Sequence, residues 1–289
     1  MTTYETASDQ FITVGKDRLA FRSIGSVRGV PLVLLAYFRG TMDHWDPVLI
    51  NHLAARRHVV LIDNSGVGRS EGTIPKTIVD FAQVYIDAVR GIGFNQIDLM
   101  GFSLGGTVAQ MMALKAPNLV RRLILCATIP SFGDGVVLPD FEMFGKLKAA
   151  TTLEEHRNAF LEGFFTSSKR SQELGEAVWE RITSSRPHRA SYVDADGADK
   201  QAAAFSRFMN ASEAEAGSYD RFDELNIPVL IANGSQDVLM PTENSILMWR
   251  KLKSSAGYLH LYPDSGHGFL FQQAESVAFS INAFLDNGL

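Results

Sequence analysis

Short apolar runs recur along this chain, and stretches with helical spacing separate them. Residues 11–14 and 19–24 alternate apolar and polar positions around Gly15-Lys16-Asp17, which predicts a hairpin of two half-exposed strands. Residues 31–35, 59–62, 97–100, 123–127 and 229–232 are continuous apolar runs, the pattern of strands buried on both faces. Residues 259–262 form a weaker run, which brings the predicted strands to eight. Between positions 77 and 93, Ile78, Phe81, Ala82, Tyr85, Val89 and Ile92 recur with a period near 3.6, one face of an amphipathic helix. Residues 104–116 read as a helix that stops before Pro117, residues 241–252 as one with Pro241 in its first turn, and residues 274–285 as a closing helix.

Strands separated by helices imply βαβ units and a mostly parallel sheet, so the fold class expected is α/β. The rhythm breaks between Pro130 and Asp223. This stretch has no convincing strand run but has helical patterns and nine of the nineteen phenylalanines, Phe160, Phe164, Phe165, Phe205 and Phe208 among them. It is too long for a loop, so residues 130–223 are expected to form a helical cap. Residues 1–129 and 224–289 then form the α/β core beneath it.

Composition excludes several classes. The chain has 289 residues, 46% of them apolar, and a formal charge of −5, an ordinary globular balance with no basic stripe for nucleic acid. Arg56-Arg57 and Arg121-Arg122 read as solvated strand ends. The single cysteine, Cys126, lies in an apolar strand and is expected to be a small buried hydrophobe, in keeping with a reducing compartment. No basic, apolar leader opens the sequence and no apolar run is long enough for a span. The expectation is a cytoplasmic protein that takes a small-molecule substrate and contacts neither nucleic acid nor membrane. The sequence leaves a homo-oligomer open.

The chemistry concentrates on three loops. Gly101-Phe102-Ser103-Leu104-Gly105 follows a buried strand and opens a helix, the strand–turn–helix setting that a G-x-S-x-G nucleophile requires. Small neighbours let the two arms of a sharp turn approach, and the helix aims backbone N–H groups at an anion formed there. A serine needs a base, and His267 in Gly266-His267-Gly268-Phe269 follows the last strand with glycine on both sides. The base needs a carboxylate to fix its tautomer, and Asp237 lies on the loop after the 229–232 strand. His44 stands near the early strand ends and remains a pocket candidate.

These motifs, with Asp63-Asn64-Ser65-Gly66-Val67-Gly68-Arg69-Ser70, resemble those of the α/β-hydrolase superfamily over most of the chain. They look most like its cap-bearing esterase, lactonase and haloperoxidase-like branch. The resemblance implies an eight-stranded sheet and a catalytic triad of Ser103, Asp237 and His267. It also implies an oxyanion hole in which Leu104 gives one N–H. The family's His-Gly-apolar motif after the third strand corresponds here to Ala36-Tyr37-Phe38, and that alignment makes Phe38 the second donor. Tyr37 carries a side chain where the family has glycine. Tyr37, Phe102, Phe164 and Phe269 are the expected pocket residues.

A serine at the elbow sets the chain apart from the fold's aspartate-dependent dehalogenases and epoxide hydrolases. No histidine, cysteine or aspartate set has zinc spacing, and Gly66-Val67-Gly68 lacks dinucleotide-loop context, so neither metal nor organic cofactor is expected. The function expected is hydrolysis of an ester or lactone of a small, mostly apolar substrate through an acyl-enzyme. A carbon–carbon bond hydrolase, a small-molecule receptor on a hydrolase fold and an inactive scaffold are the rival readings.

Overall fold

A computed structural model describes residues 2–253 and 257–286; positions 1, 254–256 and 287–289, inside the spans read as core, lie outside the described residues. The eight expected strands form one sheet: β1 (Gln10–Val14), β2 (Asp17–Ile24), β3 (Leu32–Leu35), β4 (Val59–Ile62), β5 (Ile97–Phe102), β6 (Val120–Cys126), β7 (Val229–Gly234) and β8 (Gly257–Tyr262). Their spatial order is β1-β2-β4-β3-β5-β6-β7-β8. The hairpin β1–β2 and its seam with β4 are antiparallel, and every other pairing is parallel. All four residues of both β3 and β4 are buried, which is why those runs are apolar without alternation.

Helices cover both faces. On one lie α1 (Pro47–Ala54), α9 (Phe269–Gln272) and α10 (Ala274–Leu285), packed through Leu49, Leu53, Ile281 and Phe284. On the other lie α2 (Ile78–Ile92), α3 (Leu104–Lys115) and α8 (Thr242–Lys251), packed through Phe81, Val89, Val108, Met112 and Met248. Pro241 is the N-cap of α8 rather than a residue of its first turn. Thr77 caps α2 by accepting the Asp80 N–H, and Gly93 ends that helix in the left-handed region.

Four helices fill the stretch between β6 and β7: α4 (Phe141–Ala149), α5 (Leu153–Phe164), α6 (Lys169–Ser184) and α7 (Ala195–Phe208). Two short 3-10 segments, Ala211–Ala216 and Tyr219–Glu224, lead back to the sheet. Ion pairs staple this insertion to the loop after β3. Asp43 is fully buried against Arg22 and Arg69, and it accepts the Ala190 N–H from the insertion. Those partners hold its carboxyl down at about 2 even though burial alone would raise it. Arg181 of α6 reaches Asp46 at 2.6 Å.

Two arginines expected at solvated strand ends are structural. Arg57 is buried and binds Asn282 and Asp286 beside α10, and Arg121 forks onto the buried Asp98. Cys126 is buried, and its thiol pKa is driven up by desolvation. No helix among the described residues is long and apolar enough to cross a membrane.

Candidate active site

The chain connects β3 to β4 on one side and then crosses to β5 on the other. That reversal opens a crevice at the carboxyl ends of β3 and β5, where open α/β sheets bind ligands. The loop after β3 carries Phe38, and the turn after β5 carries Ser103.

Ser103 has φ 57° and ψ −121°, a left-handed φ that is strained for any residue with a Cβ. Its surroundings hold it there. The Ser103 N–H donates to the Cys126 carbonyl at 3.0 Å, and the Thr128 hydroxyl donates to the Ser103 carbonyl at 2.9 Å. A Cβ on Gly105 would lie 2.3 Å from the Leu35 carbonyl oxygen, so the helix after the serine can approach β3 only with glycine there.

Asp237 follows β7 and uses both carboxylate oxygens. Oδ1 accepts the N–H groups of Leu239 and Met240, each at 2.9 Å, and Oδ2 lies 2.8 Å from His267 Nδ1. It is therefore both a turn aspartate and the partner of the histidine. A carboxylate only accepts, so Nδ1 carries the imidazole proton and Nε2 holds the lone pair. The acid and histidine loops are bound to each other through Ser235 N–H to Tyr262 and Gln236 N–H to Ser265. The insertion clamps the histidine loop as well. Gly268 N–H donates to the Phe164 carbonyl at 2.7 Å, while Thr166 and Ser168 donate to Asp264. The His267 ring packs between Phe102 and Phe164, with both centroids 4.9 Å away.

Ser103 and His267 open onto one narrow cavity. Tyr37, Phe38, Phe144, Phe160, Phe164 and Leu239 supply most of its apolar wall, and Arg39, His156 and Tyr192 its polar edge. Neither the Phe38 N–H nor the Leu104 N–H has a backbone acceptor among the described residues, and both residues line this cavity. Two such donors beside a serine, one of them at the start of α3, suit an oxygen that gains negative charge.

Of the residues singled out in the sequence, the structure brings together Ser103, Asp237, His267, Leu104, Phe38, Tyr37 and Phe164. It separates two residues expected in the pocket. Phe102 is fully buried behind the serine against Tyr37, Trp45 and Phe271, because as the last residue of β5 its side chain enters the core. Phe269 opens α9 and stacks on Tyr262 with centroids 5.1 Å apart, facing the sheet. The Tyr37 hydroxyl donates to the His44 carbonyl at 3.2 Å, and Tyr37 lines the cavity. His44 is buried, takes part in a capping box with Thr41 and stacks on Tyr192 at 3.8 Å. Burial drives its pKa well below the usual value. Sequence reasoning missed Arg39, Phe144, His156 and Tyr192. Only Arg39 carried a local signal, as a charge inside an otherwise apolar loop. Among the described residues, no group of three or more His, Cys, Asp or Glu could hold a metal ion.

Comparison with known proteins follows the geometry. The family described as alpha/beta hydrolase fold matches residues 30–274. A solved alpha/beta hydrolase fold protein from Chitinophaga pinensis is 29% identical, covers 98% of this chain and 99% of its own, and superposes with a TM-score of 0.89. A putative carbamate hydrolase RutD of Azorhizobium caulinodans is 35% identical over 98 residues, 34% of this chain and 37% of that protein. A pimeloyl-[acyl-carrier protein] methyl ester esterase of Pectobacterium atrosepticum is 34% identical over 101 residues, 35% of this chain and 38% of that protein. Each of these two matches thus spans little more than a third of the curated relative.

Proposed function

The chain belongs to the alpha/beta hydrolase fold family, and on that premise we propose that it is a serine hydrolase cleaving an ester or lactone through an acyl-enzyme. One observation carries the reading. Ser103 shares a cavity with a histidine whose far nitrogen is fixed by a carboxylate, beside two N–H groups without backbone acceptors.

In this reading Ser103 Oγ attacks the substrate carbonyl carbon while its proton passes to His267 Nε2. The carbonyl π electrons move to oxygen, which accepts hydrogen bonds from Leu104 and Phe38. Asp237 stabilises the imidazolium. Collapse of the tetrahedral species expels the alcohol, which takes the proton from His267. A water, deprotonated by the same nitrogen, then attacks the acyl carbon and releases Ser103. Each oxyanion donor contributes about 3 kcal/mol to such a step. Residues 130–223 serve as the cap that excludes water and shapes the acyl site. The methyl ester esterase named above supports an ester substrate, and the carbamate hydrolase supports acyl transfer from the same kind of carbonyl.

The test is labelling and turnover on purified protein. A fluorophosphonate should modify Ser103, and Ser103→Ala should abolish both labelling and turnover on a panel of esters, lactones, carbamates and vinylogous diketones. Full activity in Ser103→Ala would sink the reading. Turnover confined to the diketones would move it to carbon–carbon cleavage, and one slow turnover per chain would favour a receptor.

A further inference from the structure

Arg39 is 4% exposed, and among the described residues no carboxylate lies within ion-pair distance of it. Its Nε donates to the Val193 carbonyl at 2.7 Å, and Nη1 donates to the carbonyls of Leu147, Lys148 and Ala150 at 3.0, 3.0 and 2.7 Å. Every acceptor is neutral. Three of them lie at the carboxyl end of α4, whose dipole supplies the equivalent of only about half a negative charge. Asp194 acts on the guanidinium through space, but its own carboxylate accepts the Gly197 N–H at the start of α7. Asp194 lines the outer cavity with Arg39, but among the described residues no anion is in direct contact with this buried cation.

The remaining nitrogen, Nη2, has no acceptor among the described residues and is not sealed inside the protein. Arg39 lines the chamber that holds Ser103 and His267, and it also lines a wider outer cavity with Arg189, His44 and Tyr192. His156 and Tyr192 border both spaces, with rings stacked 4.3 Å apart. The His156 ring nitrogens have no hydrogen-bond partner among the described residues, and burial, then the Arg39 cation, favour the neutral imidazole on the border of both cavities. The Arg39 backbone has φ 62°, a region that glycine would occupy without strain. Clamping the end of α4 accounts for Nη1, and holding the segment before α7 accounts for Nε, but neither gives Nη2 a role.

We propose that Arg39 is a specificity-determining residue that binds a carboxylate on the substrate, with His156 and Tyr192 completing the subsite between the two cavities. The proposal rests on the hydrolase reading and narrows its substrate to esters or lactones that carry an anionic end. The two N–H groups of Nη2 can donate to one carboxylate, and charge-assisted hydrogen bonds of this kind are the strong ones.

The test uses the full chain carrying Ser103→Ala and measures binding by calorimetry, so it does not depend on turnover. The ligands are a series of linear dicarboxylic half-esters and their matched diesters. The best half-ester is expected to bind about tenfold or more tightly than its diester. Adding Arg39→Gln should erase that ratio, with the half-ester losing more affinity than its matched diester. If no half-ester in the series binds better than its diester, the proposal is overturned. If the preference survives Arg39→Gln, the carboxylate belongs at the Leu104 and Phe38 N–H groups, and the proposal is again overturned. Should Arg39→Gln not fold, Arg39→Lys decides: a weakened preference supports the proposal and an unchanged one defeats it. Failure of the hydrolase reading would show separately, as absent fluorophosphonate labelling.

Discussion

On one side of the cavity Ser103, Asp237 and His267 project from the ends of three parallel strands, held by short hydrogen bonds from neighbouring loops. On the other side Phe144, Leu147, Phe160 and Phe164 project from helices of the insertion. Ion pairs such as Arg181–Asp46 and Arg186–Asp43 tie the insertion down. The strand-end wall is polar and over-determined, since hydrogen bonds fix the Ser103 backbone, the Asp237 carboxylate and the His267 ring. The helical wall is mostly apolar and shaped by ring packing. Under the proposed function, the first wall carries the chemistry and the second the choice of substrate. Changes in the first should then act mainly on kcat, and changes in the second mainly on KM.

The largest expected effect lies in the strand-end wall. Asp237→Asn leaves an acceptor for Leu239 and Met240 but presents an amide to His267 Nδ1. The imidazole proton then shifts to Nε2, and the base is lost. The kcat on the best ester of the panel should fall about ten-thousand-fold with little change in KM. Steady-state kinetics at neutral pH measures this. Retention of a tenth or more of the activity would mean that Asp237 is only a turn residue.

An intermediate effect is expected across the cavity. Phe160 is 2% exposed and packs on Phe164 and Trp179, with centroids 4.6 and 5.4 Å away. Phe160→Ala opens the chamber, so KM should rise roughly tenfold for short-acyl esters and fall for longer ones, at a stability cost of about 3 kcal/mol. A profile of kcat and KM against acyl length checks the split. A collapse of kcat with no change in length preference would break the division of labour between the walls.

The same contrast explains what the sequence made legible. The eight strands were readable because burial on both faces forces continuous apolar runs, as at β3 and β4. Ser103, Asp237 and His267 were readable because each sits on a short loop directly after a strand, where local spacing fixes position in space. The wall contributed by the insertion was not readable. Phe164 and Phe205 line the cavity while Phe165 and Phe208 do not, and nothing in their spacing distinguishes the pairs. Arg57 looked like a solvated strand end because its partners, Asn282 and Asp286, lie more than two hundred residues along the chain. Phe102 was misplaced for a local reason. Strand alternation continues through Gly101 into the core, and the side chain before the strained serine follows that alternation.

The smallest expected effect concerns the polar edge of the helical wall. Burial, and then the Arg39 cation, lower the His156 pKa from 6.5 to about 4. Below roughly pH 6.5 the unfolded chain binds a proton that the folded chain refuses until near pH 4. The stability contributed by the neutral ring is therefore complete above that pH and is lost on acidification. Asp63 opposes this: burial raises its carboxyl to about 7, so its contribution is present at low pH and is lost as pH rises toward 7. Asp63 is unchanged in His156→Gln, so the difference between variant and wild type isolates the imidazole. Between about pH 5 and 6 the variant should lose about 0.5–1 kcal/mol per pH unit of the wild-type slope, less than the full one-proton value because the ring is only half buried. Denaturant melts at the two pH values read this directly. Equal slopes would place the His156 ring in solvent, and the two cavities would then have no polar wall between them.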